Sequence, residues 1–155
     1  MFSDDEFFGT PDRISLSRRS ANLWRLLKDD PRFAYYGRLV ALSEPGRDAA
    51  DVLSAMAKLQ GAAVAYFYPA DDAQNLFAQL QERGLTPDRH EHYGGGDAAY
   101  AASRKALENF SLPADLSVRV IDPDTPREQV RDVAELCESC DVMPVPGMMM
   151  RGQAQ

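Results

Sequence analysis

Two short apolar segments, each followed by apolar residues at helical spacing, most constrain what this chain can fold into. Residues 37–43 (GRLVALS) and 62–68 (AAVAYFY) are runs of the length and composition that are typical of buried strands. Apolar residues then recur on one helical stripe from residue 47 to residue 59, and again at Ala73, Leu76, Phe77 and Leu80. Strands that alternate with helices in this way predict an α/β layered fold.

The rest of the chain extends the same pattern. Residues 86–93 and 116–121 are predicted to be the third and fourth strands, and the last of these (LSVRVI) alternates between apolar and polar residues. Asp97 is expected to cap a helix between them that packs through its apolar residues, which are Tyr100, Leu107 and Phe110. The sequence therefore predicts a mixed layered sheet of about four strands alternating with helices.

Capping residues define the first and last helices of the prediction. Ser17 is expected to cap an N-terminal helix that ends near residues 29–31. Thr125, Pro126 and Glu128 suit the N-cap, first and third positions of the last helix. The apolar stripe of that last helix includes Cys137.

Composition excludes several classes of protein. The chain has 155 residues, 45% of them hydrophobic, which is enough for a globular core. Its net charge of −7 disfavours binding to nucleic acid or to an anionic membrane. No apolar run approaches the roughly 20 residues of a membrane helix, and the first ten residues hold no basic segment typical of a signal peptide. With only two cysteines, three residues apart, the sequence points to the cytoplasm.

Cys137 and Cys140 raise the question of a redox or metal site. Redox activity needs a stabilised thiolate, whereas these cysteines lie at the C-terminus of a helix and have Glu138 and Asp141 beside them. A structural zinc would need His90 and His92 as the other two ligands. Two histidines two residues apart do share one face of a strand, but the ordinary interpretation is a core cysteine and histidines on a solvated strand, so no metal site is predicted.

The triplet Gly94, Gly95 and Gly96 lies between a predicted strand and a predicted helix, where backbone amides can hold an anion. It matches neither a P-loop nor G-x-G-x-x-G, and Asp97 would repel a phosphate. The three glycines are therefore a weak anion-site candidate, and a flexible loop is the simpler interpretation. The sequence contains neither G-x-S-x-G nor H-E-x-x-H, and we identify no catalytic residue from it.

Met148, Met149 and Met150 follow the Pro-rich segment 144–147. Either they form an interface with a homo-oligomer partner or with a missing C-terminal region, or they fold back as core filler, a role that suits methionine. Both interpretations stay open at this point.

Two stretches resemble the GNAT superfamily of N-acetyltransferases. Residues 116–150 (LSVRVIDPDTPREQVRDVAELCESCDVMPVPGMMM) look like its opening, in which a strand and a capped turn lead to a helix and a Pro-rich loop. Residues 63–93 resemble its closing part, a strand followed by a helix that ends here at Gly84 and a further strand. The resemblance implies a degenerate N-terminal domain over residues 1–112 and the start of a second acetyltransferase-like unit, truncated, over residues 113–155.

The same resemblance implies that the complete protein transfers an acetyl group from acetyl-CoA to an amine. The superfamily's Q/R-x-x-G-x-G/A loop, which holds the cofactor pyrophosphate, is absent here. Its general-acid tyrosine would fall near Phe77, which has no hydroxyl group. We therefore expect a non-catalytic portion that binds no cofactor itself. The alternatives are a stand-alone α/β module that acts through protein contact and a small enzyme of unrecognised type.

Overall fold

The chain forms a mixed α/β structure in which an N-terminal helix precedes a three-stranded sheet, as described by a computed structural model for residues 6–91 and 93–153. The predicted fold class is confirmed, with three strands in place of about four. The helices are α1 (Pro11–Leu27), α2 (Ala49–Gln60), α3 (Ala73–Glu82), α4 (Asp97–Glu108), α5 (Arg127–Ser139) and α6 (Gly147–Met150). The strands are β1 (Phe33–Tyr36), β2 (Leu39–Leu42) and β3 (Val64–Ala65).

The sheet has the order β1-β2-β3. β1 pairs antiparallel with β2 through a two-residue turn, where Gly37 has φ of 60°, a value that glycine adopts without strain. β2 pairs parallel with β3, and α2 forms the crossover between these two strands. Residues 37–43 and 62–68 thus contain strands as predicted, whereas β1 was not predicted.

The predicted third and fourth strands are not found in the part of the chain that the structure describes. The described residues of 86–93, which exclude His92, and those of 116–121 lie in no strand. The prediction rested on a polar, extended appearance for 86–93 and on alternating polarity for 116–121, but a strand also needs a hydrogen-bonded neighbour, and neither pattern can supply one.

The core lies on one face of the sheet. Tyr35, Val40 and Leu42 point to this face and pack with the buried residues of three helices, which are Ala21, Leu23, Ala49, Ala50, Leu53, Met56, Leu76 and Leu80. Gly84 ends α3 in the left-handed conformation, and the amide of Leu85 donates to the carbonyl of Leu80 at 3.0 Å. This confirms the predicted end of that helix.

Two helix starts differ from the prediction. α1 begins at Pro11 after Thr10, so that Ser17 lies inside the helix and is buried. α5 begins at Arg127, one residue later than expected. The hydroxyl of Thr125 bonds to the carboxylate of Asp122 at 2.8 Å and does not cap the helix.

The chain divides into two compact units, Met1–Pro87 with Ile121–Gln155, and Asp88–Val120. The division into domains at residues 112 and 113, which the resemblance implied, stays a prediction. In the second unit α4 begins at Asp97 with Gly96 as its N-cap, so Asp97 is not the cap. Its residues Tyr100, Leu107 and Phe110 are exposed, contrary to the expected packing.

Among residues 6–91 and 93–153, no helix combines the length and the apolar character needed to cross a bilayer.

Candidate functional site

The face of the sheet opposite the core has side chains of very different sizes. Because side chains alternate along a strand, Tyr36 and the paired residues Ala41 and Val64 share this face. Ala41 is fully buried, and Tyr36 is half exposed. The small alanine on the central strand leaves room for larger side chains from the two outer strands to meet above it.

Tyr36 and Tyr66 make that contact. Their ring centroids lie 4.0 Å apart with an interplanar angle of 25°. The amide of Tyr66 donates to the carbonyl of Leu42 at 2.9 Å and continues the β2-β3 pairing by one residue. This bond fixes the backbone position from which the Tyr66 side chain extends. Stacked rings of this kind contribute about 0.5–1.5 kcal/mol beyond the area that they bury.

Phe67 extends this pair of rings outward. Its ring lies 6.2 Å from that of Tyr66 at 50°, and 76% of the residue is exposed. Its φ is 60°, in the left-handed region that a bulky residue adopts at a cost of about 1–2 kcal/mol. We call Tyr36, Tyr66 and Phe67 the aromatic patch. A strained, exposed aromatic residue within such a patch is typical of a binding surface.

The surroundings of Tyr66 disfavour the charged form of its hydroxyl group. Burial, and then the proximity of Tyr36, raise the pKa of Tyr66 above its ordinary value. The patch presents stacked aromatic rings and is suited to binding apolar and aromatic groups.

The turn that follows Tyr36 is fixed by the segment before α6. Arg38 donates from Nη1 to the carbonyl oxygen of Met143 at 2.6 Å. A Cβ atom at Gly37 would lie 3.5 Å from Cγ1 of Val145, an ordinary contact distance. The backbone beside Tyr36 is thus anchored to residues 143–145, which limits how far the ring can move.

The glycine triplet belongs to the second unit. Gly94, Gly95 and Gly96 lead into α4, and a Cβ at Gly95 would come within 2.9 Å of Cβ of Ala99. Gly95 is therefore needed for a close approach to the first turn of the helix. The anion site stays a prediction.

The metal candidates are described only in part. Cys137 is half-buried and Cys140 is exposed, and both are free thiols. His90 is exposed and pairs with Asp88, with Nε2 3.2 Å from Oδ2. His92 lies outside the described residues. Within the described part, no group of three or more His, Cys, Asp or Glu residues could hold a metal ion.

The methionine run lies partly against the chain's own core. Met148, Met149 and Met150 are half-buried, and the first two pack on the core cluster. This packing matches the core-filler interpretation for these two residues. The interface with another chain stays a prediction.

An ionic cluster fixes the segment that follows these methionines. Arg151 is only 7% exposed. Its Nη1 atom lies 2.6 Å from Oε1 of Glu6, and its Nη2 atom donates to the carbonyl oxygen of Thr125 at 2.8 Å. The cluster connects α6 with residues close to the start of the chain and with the approach to α5, and its groups satisfy one another, as a structural role requires.

Phe77, at the position that the resemblance assigns to a general acid, is half-buried on α3. The aromatic patch was not predicted. Its one sequence signal is the aromatic run at residues 66–68, which was predicted only as part of a strand, and β1, which contains Tyr36, was not predicted.

Comparison with protein-family models, with curated proteins and with solved structures finds no match for this chain.

Proposed function

We propose that this chain is the non-catalytic portion of an N-acetyltransferase-like protein, and that it acts by binding another protein through the aromatic patch. In the complete protein the reaction would be acetyl transfer from acetyl-CoA to an amine. The resemblance of residues 63–93 and 116–150 to GNAT acetyltransferases supports the parent activity, and the absence of the Q/R-x-x-G-x-G/A loop supports the non-catalytic role.

The observation that carries the binding role is the conformation of Phe67. A bulky aromatic residue held at positive φ and three-quarters exposed makes no contribution to the core that would repay its backbone strain. Beside the Tyr36–Tyr66 stack, it gives a protein partner a rigid aromatic surface that needs little ordering on binding.

The second candidate is a stand-alone α/β binding module. The same patch supports it, because a protein contact needs no cofactor and no second domain. The intact mass of the native gene product separates the two candidates. A product longer than these 155 residues supports the acetyltransferase portion, and a product of this length supports the stand-alone module.

The binding role is tested by placing a photoreactive phenylalanine analogue at residue 67 in the native host. Irradiation is expected to yield one discrete adduct with a second protein. The matched control places the analogue at Leu26 on α1, which is 81% exposed and outside the patch. Adducts from both positions, or from neither, contradict the proposal.

The non-catalytic role has its own test. Isothermal titration of this chain with acetyl-CoA is expected to show no saturable heat, because a chain of net charge −7 repels a polyanionic cofactor. Binding with a micromolar Kd would contradict this part of the proposal and leave the patch unaffected.

A further inference from the structure

The extended segment 116–120 in the second unit is unusual. Leu116, Val118 and Val120 alternate with polar residues, and all three are exposed, with Val118 at 76%. Among the described residues, the backbone groups of 117–120 form no hydrogen bond with the rest of the chain. An alternating segment with open backbone groups is a ready strand for pairing with another chain.

Helix α4 of the same unit carries a matching apolar face. Tyr100 and Leu107 lie seven residues apart and therefore share one side of the helix, and Phe110 follows soon after the helix ends at Glu108. All three are exposed. The unit therefore presents both a strand-like segment and an apolar helix face.

We propose that residues 116–120 pair antiparallel with the same residues of a second copy of this chain, about a two-fold axis at Val118. This inference concerns a different part of the chain from the aromatic patch and does not depend on the proposed function.

The segment is complementary to itself in this register. Leu116 lies opposite Val120 of the second copy, and Val118 lies opposite its own equivalent, so one face of the ribbon is wholly apolar. On the other face Arg119 lies opposite Ser117 of the second copy, so no like charges lie directly opposite each other. Asp115 lies in the turn that the Leu116 amide closes on the Pro113 carbonyl, before the paired segment begins.

The charge of the unit favours a second copy over other macromolecules. Residues 88–120 contain four Lys and Arg residues and five Asp and Glu residues, so most of the net charge of −7 lies elsewhere. A nearly neutral surface attracts neither nucleic acid nor an anionic membrane. It is also where two acidic chains repel each other least.

A two-stranded ribbon alone is marginally stable in water and needs a further layer on its apolar face. The apolar face of α4 can supply that layer from each copy, which would give a dimer of two strands covered by two helices. One symmetric contact would then cover six exposed apolar residues of the unit, which are Tyr100, Leu107, Phe110, Leu116, Val118 and Val120.

The test is sedimentation equilibrium of the full chain over a range of concentrations in about 0.15 M salt, where long-range repulsion is screened. The chain is expected to dimerise. Val118→Lys places two like charges opposite each other at the axis and is expected to raise the dimer Kd about tenfold or more. The control Val142→Lys changes an exposed valine of the first unit and should leave the Kd unchanged.

A charge exchange tests the register. Ser117→Arg places like charges directly opposite each other at the two symmetric pairs with Arg119, and should weaken the dimer about threefold to thirtyfold. The double variant with Arg119→Asp makes both pairs opposite in charge and should restore the original Kd. A chain that stays monomeric at about 1 mM, a dimer that survives Val118→Lys, or a double variant that fails to restore binding would overturn the proposal.

Discussion

The side-chain amide of Gln60 forms hydrogen bonds with both backbone groups of Val40. Oε1 accepts from the Val40 amide at 3.0 Å, and Nε2 donates to the Val40 carbonyl at 2.8 Å. Gln60 and Val40 are both fully buried. β3 begins at Val64, opposite Ala41, so the Gln60 amide takes the place of a peptide group just before the neighbouring strand begins.

Replacing Gln60 with Met should therefore be costly. The volume is kept, but two buried backbone groups lose their partners, and we expect the free energy of unfolding to fall by about 2–4 kcal/mol. Urea denaturation followed by circular dichroism measures this change. The control is Gln81→Met on the exposed side of α3, which should change stability by less than about 0.5 kcal/mol.

The buried side chain of Tyr35 allows a prediction of how the free energy of unfolding changes at alkaline pH. Burial raises its pKa to about 12, and its buried hydroxyl has no hydrogen-bond partner among the described residues. The unfolded chain loses this proton near pH 10, while the folded chain keeps it until about pH 12. Below pH 10 both states keep this proton, and the free energy of unfolding does not change with the ionisation of Tyr35. As the pH rises from 10 to 12, ionisation of the unfolded chain lowers the free energy of unfolding by about 2–3 kcal/mol.

Tyr35→Phe tests this assignment. The variant should lack that part of the alkaline loss in urea denaturation, and at pH 7 it should be more stable by about 1 kcal/mol because an unpaired polar atom is removed from the core. Tyr100→Phe, on the exposed face of α4, serves as the control. An alkaline loss in Tyr35→Phe equal to that of the parent chain would show that another group titrates.

Arg151 is expected to be a structural residue. Arg151→Met removes the nearer of two cationic partners of Glu6, whose side chain is only 14% exposed, and should cost about 2–4 kcal/mol. Nε of Arg127 stays 3.8 Å from Oε1 of Glu6, and combining Arg151→Met with Glu6→Gln should recover part of the loss, because a poorly paired buried charge is then gone. The exposed Arg131 on α5 is the matched control, and Arg131→Met should have little effect. Equal losses from the two arginine variants would contradict a structural role for the cluster.

Local patterns predicted the parts of the fold in which one segment determines its own structure. The stripes of α2 and α3 placed both helices, because amphipathic spacing leaves few alternatives. The end of α3 followed from Gly84, whose backbone freedom is a property of the residue itself. Strands 86–93 and 116–121 were not formed, because strand pairing depends on residues that are distant in sequence.

The candidate site could not be predicted for the same reason. Tyr36 and Tyr66 are 30 residues apart, and their contact depends on which strands flank β2. In the sequence, Gln60 looks like any polar residue at the end of a helix. Its bond to the Val40 backbone could not be predicted, because that bond depends on where β3 begins. In α3 the helical stripe included Phe77, yet Leu76 and Leu80 are the buried residues, since the packing neighbours decide which edge of a stripe faces the core.

Phe67 allows stability and binding to be separated. Phe67→Gly removes both the exposed ring and the Cβ atom that makes φ of 60° unfavourable. The relief of about 1–2 kcal/mol exceeds the entropy that glycine adds to the unfolded chain, so we expect a net gain of about 0.5–1 kcal/mol. Phe67→Ala removes the ring but keeps Cβ, and its stability should stay close to that of the parent chain.

Binding should respond differently. Once the adduct formed from residue 67 has identified the partner, both Phe67→Gly and Phe67→Ala should weaken its Kd by about tenfold or more, because an exposed aromatic anchor is lost. A residue kept for function at the expense of stability gives this combination, a gain in unfolding free energy with a loss in affinity. If Phe67→Gly lowered the unfolding free energy, the ring would be supporting the fold, and the aromatic patch would be a structural element and not a binding surface.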